Sequence, residues 1–128
     1  MEFEGIHHIA IIGHDKKKTL AFYVTKLGFK IIAQHQRTTK KDIKIDLQKN
    51  NLMLEVFIKP AAPARSTYPE GEACGLRHLA FAVPNVDQTV IQLKKVGIMT
   101  EPVRRDDYTG KKMTFFFDPD GLPLEIHE

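Results

Sequence analysis

Two histidines and two glutamates recur at one spacing. His8 and His78 lie 70 residues apart, and so do Glu55 and Glu125. At that offset Gly5-Ile6-His7-His8-Ile9-Ala10 superposes on Gly75-Leu76-Arg77-His78-Leu79-Ala80, and Leu52-Met53-Leu54-Glu55-Val56 on Leu122-Pro123-Leu124-Glu125-Ile126. Chance rarely preserves one offset at both ends of such a unit, so the chain reads as a duplication. Two imidazoles and two carboxylates form a mixed nitrogen and oxygen donor set. It suits a borderline divalent ion such as Zn²⁺, Ni²⁺, Co²⁺, Fe²⁺ or Mn²⁺. Four such ligands on a six-coordinate ion leave two positions for neighbouring oxygens of a substrate.

The flanking residues explain why these side chains point to a purpose. Glu55 stands between Leu54 and Val56, and Glu125 between Leu124 and Ile126. Strand alternation sends each carboxylate to the face opposite its apolar neighbours. A carboxylate in such a setting is costly unless it is paired or bound. His7 competes with His8, but its repeat partner is Arg77, which is no ligand; His8 is therefore preferred. His7, His14, His35 and His127 are read as structural, and Cys74, the single cysteine, as an incidental thiol.

The elements that must position the four residues follow one grammar in both halves. A β-rich run opens each half, at 6–12 and 76–83. Asp15 and Asn85 then serve as helix N-caps. Leu20, Ala21, Val24 and Leu27 in one half, and Val86, Val90, Leu93 and Val96 in the other, follow at helical spacing. Gly28 and Gly97 sit where a helix ends in a left-handed residue. Three strands complete each unit, near 30–37, 43–48 and 52–58, then near 98–104, 111–117 and 122–127. Turns are expected at Asn50-Asn51 and Asp118-Pro119-Asp120-Gly121. The fold class is α+β, two tandem βαβββ modules in one domain over residues 1–128. Module one covers 5–58, a proline-bearing linker 59–74, and module two 75–128.

Composition bounds the function. The chain has 128 residues and a formal net charge of +3, ample for a folded core. Its basic residues come in short runs without interleaved aromatics, which argues against nucleic acid. The mild basic excess favours an anionic small ligand. No apolar run is long enough to cross a bilayer. The acidic start and the lone cysteine fit the cytosol.

These residues resemble the vicinal oxygen chelate superfamily, and within it glyoxalase I-like (lactoylglutathione lyase-like) proteins. The likeness covers nearly the whole chain. It rests on His8 in GIHHIAI, on AFY with LGF at 21–23 and 27–29, on Glu55 in LMLEVF, on His78 in GLRHLAF, and on Glu125 in DPDGLPLE. It implies the glyoxalase/bleomycin resistance/dihydroxybiphenyl dioxygenase fold and a divalent metal, Ni²⁺ or Zn²⁺ foremost, held by His8, Glu55, His78 and Glu125. The implied reaction converts the hemithioacetal of a thiol and a 2-oxoaldehyde through an enediolate. A glutamate moves the proton between adjacent carbons, Glu125 first and Glu55 as its pseudo-symmetric partner. Other implied readings are a metal-dependent epimerase or thiol transferase, and a module that binds or sequesters a small molecule. A homodimer is the family expectation.

The glutathione grip of the family is not reproduced. Ile12 stands where a related bacterial enzyme has arginine, and Lys59 where it has asparagine. Arg37, Lys59, Arg65, Arg104 and Lys112 are the cations available for another grip, and Phe57, Phe115 and Phe117 the candidate pocket walls. Of these, Lys59, Phe57, Arg37, Arg104 and Lys112 are expected to bind substrate.

Overall fold

The computed structural model describes residues 1–66 and 74–128. Within these the chain forms two compact units, Met1–Pro63 and Ala64–Glu128. Part of the expected linker, 67–73, lies outside the described residues.

In the first unit, β1 (Ile9–Gly13) leads into α1 (Lys16–Leu20), which widens into a π-helical stretch at Ala21–Lys26. Strands β2 (Lys30–Arg37), β3 (Asp42–Lys49) and β4 (Leu52–Ile58) follow. The second unit contains β5 (Leu79–Ala82), α2 (Val86–Lys95), β6 (Arg104–Arg105), β7 (Lys112–Phe117) and β8 (Pro123–His127). Each unit is one four-stranded sheet, in order β1-β4-β3-β2 and β5-β8-β7-β6. The opening strand runs parallel to the closing one, and the other neighbours are antiparallel. The expected α+β pair of βαβββ modules is therefore the observed fold.

Local chemistry sets the boundaries. The Asp15 carboxylate accepts from the Lys18 backbone N–H at 2.9 Å, and the Asn85 side chain accepts from Gln88 N–H at 2.8 Å. Both are N-caps that satisfy a free helix-end donor. Gly28 and Gly97 take φ of +76° and +72°, the left-handed geometry that closes a helix. At the last turn Asp118 Oδ1 accepts from the N–H groups of Asp120 and Leu122, at 2.9 and 2.8 Å, which fixes where β8 begins.

Two boundaries differ from the pattern read in the sequence. The opening strands begin at Ile9 and Leu79, so His8 and His78 lie just before the ladder. Pairing starts at Ile9↔Leu54 and Leu79↔Leu124. The strand expected at 98–104 shrinks to Arg104–Arg105. Pro102 removes a donor there, and the segment is held instead by Glu101 N–H to the Phe115 carbonyl, 2.8 Å, and by Thr114 Oγ1 to the Glu101 carbonyl, 2.8 Å.

One face of each sheet is covered by its helix. Ile45, Leu47, Leu54 and Val56 are fully buried in the first unit. There Tyr23 packs edge-on to Phe22 and Phe29, so AFY and LGF are core signals. Phe116, Leu124 and Val86 are buried in the second, where α2 packs on β7 and β8. Among the described residues no helix is long and apolar enough to cross a membrane. Leu124→Ala is expected to destabilise the fold by about 3 kcal/mol, whereas Tyr108→Ala, at a fully exposed position, changes it by less than about 0.5 kcal/mol. Denaturant titration of both variants checks this.

Candidate metal centre

The register of each sheet builds a half-site. Glu55 lies beside Ala10, and Glu125 beside Ala80. The small neighbour leaves the carboxylate room on its face. Two residues earlier on the same side stand His8 and His78. His8 Nε2 lies 3.5 Å from Glu55 Oε2, and His78 Nε2 lies 2.9 Å from Glu125 Oε2. The same two atoms meet in both halves. Two bonds of about 2.1 Å to one ion place their donor atoms about 3.0 Å apart at a right angle and about 3.4 Å apart at a tetrahedral one. Both pairs have the spacing of ligands to a shared ion, and imidazole with carboxylate is a donor set such ions accept.

Each unit gathers one pair; among the described residues no group of three or more His, Cys, Asp or Glu is assembled. The rings are oriented by different means. His8 Nδ1 lies 2.9 Å from His7 Nδ1. His78 stands edge-on to Phe115, 5.2 Å between centroids, and its buried Nδ1 has no hydrogen-bond partner among the described residues. His14 and His127 each contact a backbone carbonyl, in keeping with a structural role.

The two carboxylates differ in setting. Glu125 is buried, and the His78 imidazole, at 2.9 Å, is its one ion-pair contact among the described residues, with no lysine or arginine beside it. Glu55 is half-buried, and its other oxygen, Oε1, is 2.8 Å from Lys44 Nζ. Lys44 also reaches Asp46 Oδ1 at 2.7 Å. Its pKa is raised above the ordinary lysine value, first by the hydrogen bond to Asp46 and then by that to Glu55.

Farther along the same face lies a second charged group. Arg37 donates twice to Asp42, through Nε and an Nη, each at 2.6 Å. Lys59 Nζ lies 2.8 Å from Oδ2, the oxygen that also accepts from the Arg37 Nη. The Arg37 guanidinium also lies over the Phe57 ring, 4.6 Å from its centroid. Thus one buried carboxylate draws together three residues expected to bind substrate: Arg37, Phe57 and Lys59. Arg104 lies over Phe115, at 5.5 Å. Lys112 is set apart: alternation from Met113 turns it to the helix face, where it pairs with Asp87. Phe117 is exposed at the end of β7, and Arg65 donates to the Leu76 and Arg77 carbonyls.

Asp42, Lys44 and Asp46 were not singled out from the sequence. The signal was present: in DIKIDL the charged residues alternate with Ile43, Ile45 and Leu47, which fixes their common face. Which face that was required the pairing Asp46↔Glu55.

The chain belongs to the Glyoxalase/Bleomycin resistance protein/Dioxygenase superfamily, whose profile matches residues 5–126. It is similar to the glyoxalase family protein from Enterococcus faecalis, with 54% identity and a TM-score of 0.95 across all of both chains. It is also similar to the YwkD protein of Bacillus subtilis strain 168, 51% identical over 100% of this chain and 99% of that one. A more distant relative is the metallothiol transferase FosB of Lysinibacillus sphaericus, 25% identical over 99% of this chain and 84% of that protein.

The hydrogen bond from Arg37, and then that from Lys59, hold the Asp42 carboxyl well below the usual carboxylate range. A depressed folded-state value stabilises the protein above the unfolded value of about 4 and loses that contribution as pH falls below it. Asp42→Asn is therefore expected to be less stable than wild type at pH 7, with the gap closing as pH is lowered from about 4. Denaturant midpoints measured across that range check the sign; a gap that does not vary with pH refutes it.

Proposed function

We propose that His8, Glu55, His78 and Glu125 hold one divalent metal ion, and that the protein is a glyoxalase I-like lyase/isomerase acting on the hemithioacetal of a thiol and a 2-oxoaldehyde. The observation that carries this reading is the repeated pair, imidazole Nε2 against carboxylate Oε2, in both units. A four-ligand site takes one pair from each kind of unit, contributed by one chain or by two chains of a homodimer. Ni²⁺ or Zn²⁺ fits the set, with Co²⁺, Mn²⁺ and Fe²⁺ as further candidates. When bound, the ion neutralises charge developing on two neighbouring substrate oxygens and acidifies the adjoining C–H.

The chain's own residues do the rest. Glu125, which has no lysine or arginine on it, takes the proton from one carbon and returns it to the next. Its burial on the face opposite Leu124 and Ile126 limits access of water to that carboxylate. The imidazoles of His8 and His78 stay as neutral donors. Arg37 and Lys59, held by Asp42, offer their remaining N–H groups to an anionic part of the substrate, with Phe57 as an apolar wall; Arg104 and Phe115 do so in the second unit. The partner is thus a small anionic molecule, not a nucleic acid or a membrane.

A second reading is transfer of a thiol to an electrophile. The resemblance to a metallothiol transferase favours it. Four ligands disfavour it, since Glu55 takes up a coordination position such a substrate would use.

The test is turnover of the methylglyoxal–glutathione hemithioacetal by metal-stripped protein, reloaded separately with Ni²⁺, Zn²⁺, Co²⁺ and Mn²⁺. Metal-dependent thioester formation is expected. Glu125→Gln is expected to lower kcat by about 100-fold or more, and Glu55→Gln to weaken metal binding by about 10-fold or more. Metal binding without turnover moves the activity to another thiol or chelating substrate. Unaltered metal binding and turnover in both variants refutes the site.

A further inference from the structure

The two half-sites share a register but not their surroundings. In the first unit the residue opposite Glu55 is Asp46, and Lys44 stands two positions along the same strand. The second unit has the same ladder, with Phe115 opposite Glu125 and Met113 two positions along. A carboxylate pair has been placed in one half where the other half has a phenyl ring. Two carboxylates directly opposite on one sheet face repel each other. Lys44 relieves this by lying between them, 2.7 Å from Asp46 Oδ1 and 2.8 Å from Glu55 Oε1.

The contact is selective at the level of atoms. Lys44 holds Oε1 of Glu55, and Oε2 faces His8 Nε2. A carboxylate free to rotate offers a metal either oxygen or both. Here one oxygen is already occupied by a donor that is anchored at its other side by Asp46. Glu125 has no such clamp.

We propose that Lys44 is a positioning residue: with Asp46 it fixes Glu55 as a one-oxygen ligand through Oε2, a restraint that Glu125 lacks among the described residues. This rests on the proposed metal site and assigns different work to its two glutamates. The duplication made them equivalent; the Asp46–Lys44 pair separates them.

The sign of one measurement tests it. A lysine near a metal ion repels it, so loss of its charge alone tightens binding. Loss of an orienting contact loosens binding, by about 10-fold or more for groups that hold a metal ligand in place. Zn²⁺ and Co²⁺ affinities are measured by competition titration on wild type, Lys44→Met, Lys44→Arg and Glu55→Gln, with the visible absorption of the Co²⁺ forms recorded. Lys44→Met is expected to bind at least about 10-fold more weakly and to show an altered Co²⁺ spectrum, because Glu55 is then no longer held with Oε2 toward the ion. Lys44→Arg, which keeps a charged donor, is expected to restore the wild-type spectrum and most of the affinity. Unchanged or tighter binding by Lys44→Met, or a spectrum that does not change, overturns the proposal while leaving the metal site intact. Wild-type affinity in Glu55→Gln overturns the metal site and this proposal together.

Discussion

The parallel pairing of the first and last strand of each unit is the constraint on which the site depends. Parallel neighbours cannot be joined by a tight turn, so everything between them, one helix and two strands, exists to bring those strands side by side. Their register then sets Ala10 beside Glu55 and Ala80 beside Glu125. A one-residue slip would turn each glutamate into the core and each leucine out to the site. The buried Leu54, Val56, Leu124 and Ile126 forbid that slip. Packing on one face therefore fixes chemistry on the other.

The histidines gain from lying just outside the ladder. Within a strand, the side chain beside Glu55 is held at the lateral spacing of the sheet. His8 and His78 precede the first paired residue, and from there a long ring leans back to bring Nε2 to the carboxylate. Their orientation is then supplied by neighbours, His7 in one unit and Phe115 in the other. A polar contact and an apolar wall do the same work, which shows that ring placement rather than any particular second residue is what the architecture requires.

Much of this was legible in the sequence because two periodicities reinforced each other. The 70-residue offset paired His8 with His78 and Glu55 with Glu125 before any element was assigned, and strand alternation put both glutamates on the face away from the core. The caps Asp15 and Asn85 and the glycines at 28 and 97 were read from local chemistry alone and hold in the structure. What was not legible depended on pairing between strands. Nothing in DIKIDL says which strand lies beside it, so Lys44 could not be matched to Glu55, nor Asp42 to Arg37 and Lys59. The length of β6 was missed for the same reason: residues 98–103 have strand-like composition, but Pro102 leaves them one backbone donor short.

Duplication poses a chemical problem that the surroundings of the two glutamates resolve. Two identical carboxylates on one ion would compete for the same proton and the same bond, and neither would have a defined role. Divergence at the cross-strand neighbours of the glutamates gives the two carboxylates different surroundings. In the first unit charge was added in a balanced set, with Asp46 opposite Glu55 and Lys44 between. That arrangement keeps the local net charge the same as for a lone glutamate, so it constrains the carboxylate without greatly altering its attraction for a cation. In the second unit Phe115 stands opposite Glu125 instead and lies edge-on to His78. That carboxylate meets the His78 imidazole. The asymmetry thus lies in the residues opposite the two glutamates, where a repeat can change without losing its His/Glu pairs.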